Sequence, residues 1–167
     1  MSLCNRRTLI LGGAALAGAA LSGCGFSPAY GPGGAATKLQ GAILADEPND
    51  RPGFLFVRRL EERLGRGEPA RYGLSYSIEL EERALAINAA NITTRLNVLG
   101  QITFALRDLE TDKVLSSGKV DNFTSYSATG TPVATNAARR NAQERLLTIL
   151  TDQLVTRLTA DAARLPA

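Results

Sequence analysis

The sequence predicts an α+β fold: a two-layer sandwich with two helices packed on one face of a four-stranded mixed sheet, in the order β-α-β-β-β-α. Three observations predict it. Residues 72–80 and 95–107 alternate apolar and polar side chains with a period of two, as half-buried strands do. Residues 54–64 and 134–162 repeat apolar side chains every three or four positions, as helices with one buried side do. The last three strands are separated only by short turn-rich segments, so they are expected to be antiparallel neighbours.

The elements follow in order. Leu39 to Ala45 is a short apolar run suited to a first strand, and Asp46 to Pro52 carries the breakers of a loop. Phe54 to Leu64 places Phe56, Val57, Leu60 and Leu64 at helical spacing, with Arg58 and Glu62 paired four apart on the wet side. Gly65 and Gly67 suit the helix stop. A helix between the first and second strands is a crossover, so these two strands are expected to pair parallel. Along Tyr72 to Leu80, the residues Leu74, Tyr76, Ile78 and Leu80 share a face, and the pattern extends through Leu85 and Ile87 to a turn at Asn88–Asn91. Arg95 to Arg107 sets Leu96, Val98, Gly100, Ile102, Phe104 and Leu106 on one face, and Arg95, Asn97, Gln101, Thr103 and Arg107 on the other. Asp108 to Lys113 closes a hairpin into Val114–Tyr126, a Ser/Thr-rich strand in which Gly118 marks a bulge or a close backbone approach. Ser127 to Pro132 is a loop, with Thr131 placed to cap the helix Ala134–Ala162. That helix carries Leu146, Leu150, Leu154 and Leu158 every four residues, widened by Leu147, Ile149 and Val155. So broad a stripe reads as core packing rather than as a coiled-coil seam or a membrane-surface helix. The uncovered face of the sheet is expected to be rich in Ser, Thr, Asn and Arg.

The first 36 residues read differently. Arg6-Arg7 precede an uncharged apolar run, Leu9 to Leu21, and then Ser22-Gly23-Cys24. A positive start, a short apolar middle and small residues make a secretory signal peptide, and a run of about a dozen residues is short of the roughly 20 needed to span a bilayer. Arg6-Arg7 fit twin-arginine export and also general secretion. Leu21-Ser22-Gly23-Cys24 resembles the lipobox of bacterial lipoproteins. That resemblance implies a diacylglycerol on the Cys24 sulfur and an acyl chain on its new amino terminus, a firm anchor because each buried methylene contributes about 0.8 kcal/mol. The alternative is an ordinary signal peptide with an incidental cysteine. Gly25 to Ala36, punctuated by Pro28, Gly31, Pro32, Gly33 and Gly34, reads as a flexible tether. The expected organisation is a signal peptide at 1–23, a lipidated cysteine with tether at 24–36, and one domain at 37–167.

Composition excludes several chemistries. Removing Arg6 and Arg7 from the 19 basic residues leaves the chain nearly balanced against its 16 acidic ones, so a bulk nucleic-acid surface is unsupported. With no histidine, and with Cys4 in the leader, the sequence lacks the parts of a Ser-His-Asp or Cys-His site, of a histidine or thiolate metal site, and of an internal disulfide. No metal ligand set, catalytic residue or cofactor is expected beyond the lipid on Cys24.

The residues after the lipobox, Gly25-Phe26-Ser27-Pro28-Ala29-Tyr30-Gly31, resemble the alphaproteobacterial branch of the LPS-assembly lipoproteins called LptE. So do the element order, the Ser/Thr-rich fourth strand ending in Phe123 to Ala128, and the long Ala/Leu-rich last helix with Arg139-Arg140. The resemblance implies an outer-membrane lipoprotein, facing the periplasm, that plugs the large β-barrel LptD, helps it assemble, and takes part in placing lipopolysaccharide in the outer leaflet. It also implies contact with lipopolysaccharide, whose phosphates favour Arg and Lys. The candidates on the wet sheet face or its turns are Arg83, Arg95, Arg107, Lys113 and Lys119, for each of which a solvated surface charge is the plainer reading. No basic residue lies in the turn Asn88–Ile92.

Two other readings stay open at this stage. The anchor and tether alone fit an envelope lipoprotein that holds peptidoglycan or another envelope protein. Glu79, Glu81 and Glu82 prompt a carboxylate-dependent hydrolase, against the plainer reading of a solvated strand end.

Overall fold

The computed structural model describes residues 31, 34–87 and 93–165. The signal peptide, Cys24, most of the tether and the expected turn at Asn88–Asn91 lie outside the described residues. The elements are β1 (Ile43–Ala45), α1 (Arg51–Leu64), β2 (Tyr72–Ile87), β3 (Thr93–Asp108), β4 (Val114–Ser127) and α2 (Pro132–Asp161), with single 3-10 turns at Ala35–Lys38 and Ala162–Arg164. The sheet order is β1-β2-β3-β4. β1 pairs parallel with β2, and the other pairings are antiparallel. Two helices on one face of a mixed four-stranded sheet is the architecture expected.

Several boundaries move. The first strand is three residues long rather than running from Leu39. Leu39 is instead fully buried beside a turn, and Gly41, at φ +62°, bends the chain so that its N–H donates to the Leu64 carbonyl at 2.7 Å. The apolar run is thus used to pack the end of α1 before it is used in the sheet. Ala36, assigned to the tether, is also fully buried, so ordered packing begins before residue 37. Helix α1 begins at Arg51, not Phe54. Pro52, read as a loop breaker, lies in the first turn, where a missing N–H costs nothing. The Asp50 carboxylate caps the helix by accepting from the Gly53 N–H at 2.7 Å. The predicted cap of α2 is present: the Ala134 N–H donates to Thr131 Oγ1 at 3.3 Å.

The core lies between the layers. Leu74, Val98, Ile102, Phe104 and Leu106 meet Phe56, Leu60 and Leu64 of α1 and Leu146, Leu150, Leu154 and Leu158 of α2. The leucine stripe of α2 is therefore core packing. Gly100 lets α2 approach closely, since a Cβ there would stand 2.9 Å from methyls of both Leu146 and Leu150. Gly118 is not a bulge, because its pairing with Phe104 is regular. It makes room for the Arg157 guanidinium, 3.4 Å from where a Cβ would stand. The irregularity lies instead between Leu106 and Arg107, where Leu115 is the extra residue. Helix α1 is tied to α2 by Arg59 and Arg63, both on Asp152 at 3.4 and 3.2 Å, and by Arg58 on Glu144 at 3.6 Å. The expected Arg58–Glu62 pair is present at 3.7 Å.

Candidate functional site: the uncovered sheet face

Strand alternation sends every second side chain of β2, β3 and β4 away from the helices. The registers stack these side chains into rows: Ser77–Thr103–Lys119, Glu79–Gln101–Asp121, Glu81–Leu99–Phe123 and Arg83–Asn97–Ser125. Ser77, Glu79, Thr103, Lys119 and Asp121 are exposed, whereas Leu74, Ile102 and Leu106 on the helix side are fully buried. The two faces are assigned as the alternation predicted. A shallow depression of about 610 Å³ lies over Glu79, Glu81, Gln101, Asp121 and Phe123. Beside it, a second depression lies over the small side chains Ser75, Ser77, Ala105 and Ser117.

The face is less uniform than expected. It carries three carboxylates in adjacent rows, and next to them an apolar pair, half-buried Leu99 and Phe123, which is 61% exposed. Alternation in β2 made Glu79 and Glu81 visible as same-face neighbours. Phe123 was missed because β4 has few apolar residues with which to set a phase.

The structure separates the five basic candidates. Arg83 donates from Nε and Nη2 to both oxygens of Glu81 at 2.7 and 2.8 Å. This two-pronged bond lowers the Glu81 carboxyl below its ordinary range and raises Arg83. Arg95, a diagonal neighbour at the same end of the face, donates to Ser125 Oγ at 2.9 Å and makes no ion pair among the described residues. Lys119 is exposed in mid-face. Arg107 lies 3.8 Å from Asp112 at the opposite end, and Lys113 is exposed in the hairpin there. Twelve residues of one strand separate Arg95 from Arg107, roughly 40 Å. The five do not converge on one anion.

The three glutamates divide as well. Glu79 and Glu81 share the uncovered face, but Glu82 points to the helix side and accepts from the Tyr126 hydroxyl at 3.0 Å. Burial, then this bond, pushes the Tyr126 phenol up. With Glu81 held by Arg83 and Glu82 on the far side, the trio forms no common acid–base site.

Comparison with known proteins now bears on this fold. The family model described as "LptE: Lipopolysaccharide-assembly" matches residues 39–158. No curated sequence matches the chain. Among solved structures, a candidate lipoprotein from Caulobacter crescentus CB15 is similar with a TM-score of 0.66 and 23% identity, over 77% of this chain and 96% of that one. Rare lipoprotein B from Shewanella oneidensis is similar with a TM-score of 0.57 and 12% identity, over 74% and 96%. A minor lipoprotein from Acinetobacter baumannii gives 0.52 and 16%, over 75% and 94%. At these identities the structures speak for the fold alone. The family match spans every strand and nearly all of both helices, and the chain belongs to the LptE family of lipopolysaccharide-assembly proteins.

Proposed function

We propose that this protein is a non-catalytic, lipid-anchored component of the outer membrane that seats its domain in the LptD barrel, assists that barrel's assembly, and contacts lipopolysaccharide during its insertion into the outer leaflet. The observation that carries the reading is the uncovered sheet face within an LptE-family domain. One face of the sheet holds the whole core, and the other is polar over most of its length, as a body seated in the polar lumen of a barrel requires. The anchor is Cys24 behind its signal peptide, and the tether lets the domain reach its partner from the inner surface of the membrane. Of the basic candidates, Arg95, Lys113 and Lys119 support direct lipopolysaccharide contact best, because their charge is not matched by a carboxylate among the described residues, as that of Arg83 and Arg107 is.

The test is to tag the chain at its C-terminus, extract outer membranes in mild detergent and identify what co-purifies. An LptD-type barrel in near-equal amount is expected, and depletion of the chain should leave that barrel misassembled. Cys24→Ser should release the protein from the membrane. Recovery of the chain without a barrel, together with normal barrel assembly after depletion, would overturn the reading.

A further inference from the structure

We infer that the free edge of β2, from Ile78 to Glu82, receives an extended strand of a partner protein whose side chains alternate between apolar and basic. Backbone groups of a strand alternate sideways as its side chains alternate up and down. The Tyr72 N–H donates to the Ala42 carbonyl, and the Leu74 carbonyl accepts from the Asp46 N–H, each at 2.9 Å. Even-numbered residues of β2 therefore aim their N–H and C=O groups outward, toward β1. But β1 ends at Ala45, opposite Leu74, while β2 stays paired with β3 on its inner side as far as Ile87. Among the described residues, the outward groups of Ile78, Leu80 and Glu82 have no strand beside them. Such a row is a template for another strand.

The opposite edge of the sheet is partly occupied. The Ala128 N–H donates to the Thr94 carbonyl, so even-numbered residues of β4 face β3 and odd-numbered ones face outward. Two of those outward groups are taken by side chains. The Phe123 N–H donates to Asn122 Oδ1 at 2.8 Å, and the Ser125 carbonyl accepts from Arg145 at 3.4 Å. Toward the end of the sheet that holds Ile78 to Glu82, part of the β4 edge is thus taken by side chains, whereas no strand lies beside β2 there among the described residues.

Side chains along the edge define the occupant. Ile78 and Leu80 are half-buried on the helix side, and apolar residues of an added strand would cover their open flank. On the other face Glu79 is exposed and makes no ion pair among the described residues, and Glu81, which follows it, is held by Arg83. Opposite charges across a strand pair are favourable and like charges are not. A second copy pairing antiparallel about Leu80 would set each Glu79 against a Glu81 already held by Arg83 and leave Glu79 unanswered, whereas Lys or Arg on an added strand would pair with it. The inference does not depend on the partner being a barrel.

The probe is a synthetic heptapeptide of alternating Val and Lys, added to the full chain in detergent, with amide hydrogen exchange as the readout. Exchange at Ile78, Leu80 and Glu82 should slow by about tenfold, as expected when open amides enter a ladder. A Val/Glu peptide, or the Val/Lys peptide N-methylated along its bonding side, should leave these amides unprotected. Glu79→Lys, an exposed substitution, should shift the preference toward the Val/Glu peptide. No protection by either peptide would overturn the inference, and so would equal protection by both. Concentration-dependent protection without peptide would assign the edge to a second copy and overturn it too.

Discussion

Gly100→Ala tests the close approach of α2 to the middle of β3. The added Cβ would stand 2.9 Å from Leu146 Cδ2 and from Leu150 Cδ1, and 3.0 Å from Leu80 Cδ2. Leu146 and Leu150 are fully buried on α2, so their methyls have nowhere to go without shifting the helix. Overpacking of this kind costs about 1–3 kcal/mol. The backbone of Gly100 is not left-handed, so alanine also restricts the unfolded chain, which returns about 0.4–1 kcal/mol. A net loss of about 1–2 kcal/mol is expected. Urea denaturation reads this as a midpoint lowered by roughly 0.5–1 M with an unchanged slope. The control is Gly118→Ala, on the same face, where the neighbour is the end of the exposed Arg157 side chain at 3.4 Å. Its effect should stay within about 0.5 kcal/mol, as for surface changes. A neutral or stabilising Gly100→Ala, or equal losses at both glycines, would refute the claim that α2 bears directly on the middle of β3.

Further outcomes follow from the same contacts. Phe104→Ala, at a side chain only 2% exposed, should cost about 3–5 kcal/mol in the same assay, and a loss below about 1 kcal/mol would mean that β3 faces the other way. Asp108 accepts from the Thr111 and Glu110 N–H groups at 2.9 Å, and these bonds hold its carboxyl below the usual range. Its stabilisation is complete above the unfolded value of about 3.9 and is lost as pH falls through the folded one, so Asp108→Asn should flatten the acid limb of a stability–pH curve. Asp152→Ala removes the shared partner of Arg59 and Arg63, yet these groups are partly exposed, so thermal unfolding should register a loss of about 1 kcal/mol at most, shrinking in high salt.

The elements with a strong period were legible, and those set by tertiary demands were not. Alternation from Leu74 to Leu80 and from Leu96 to Leu106 fixed both phase and face, because a one-residue error would invert every side chain. The Leu146–Leu158 stripe did the same for α2. Leu39 misled because an apolar run of seven fits a strand or a buried turn equally, and only the end of α1 decides between them. Pro52 misled because a breaker inside a helix is a favoured residue in its first turn. For the candidate site, composition identified the basic residues, but their separation to opposite ends of the sheet depends on register. The Glu81–Arg83 pair was within reach of the sequence, since residues two apart on a strand share a face. The free edge of β2 was not, because it follows from where β1 stops.

That stopping point has a cause in lengths. β2 and β3 each run 16 residues, about 50 Å, whereas the 14 residues of α1 cover only about 21 Å. Helix α1 follows β1 as a crossover and backs β2 only as far as Tyr76, whose ring lies 4.6 Å from that of Phe56. The 30-residue α2, at about 45 Å, continues along β4 and β3, and beyond Tyr76 β2 is covered only in part, with Ile78 and Leu80 packed against the core from one side. Tyr72 and Leu74 are accordingly fully buried, Ile78 and Leu80 half-buried, and Glu82 exposed. A strand continued past its cover adds little to the core and leaves hydrogen-bonding groups and half-covered leucine and isoleucine facing outward. That overhang is the part of the sheet free to be shaped by a partner.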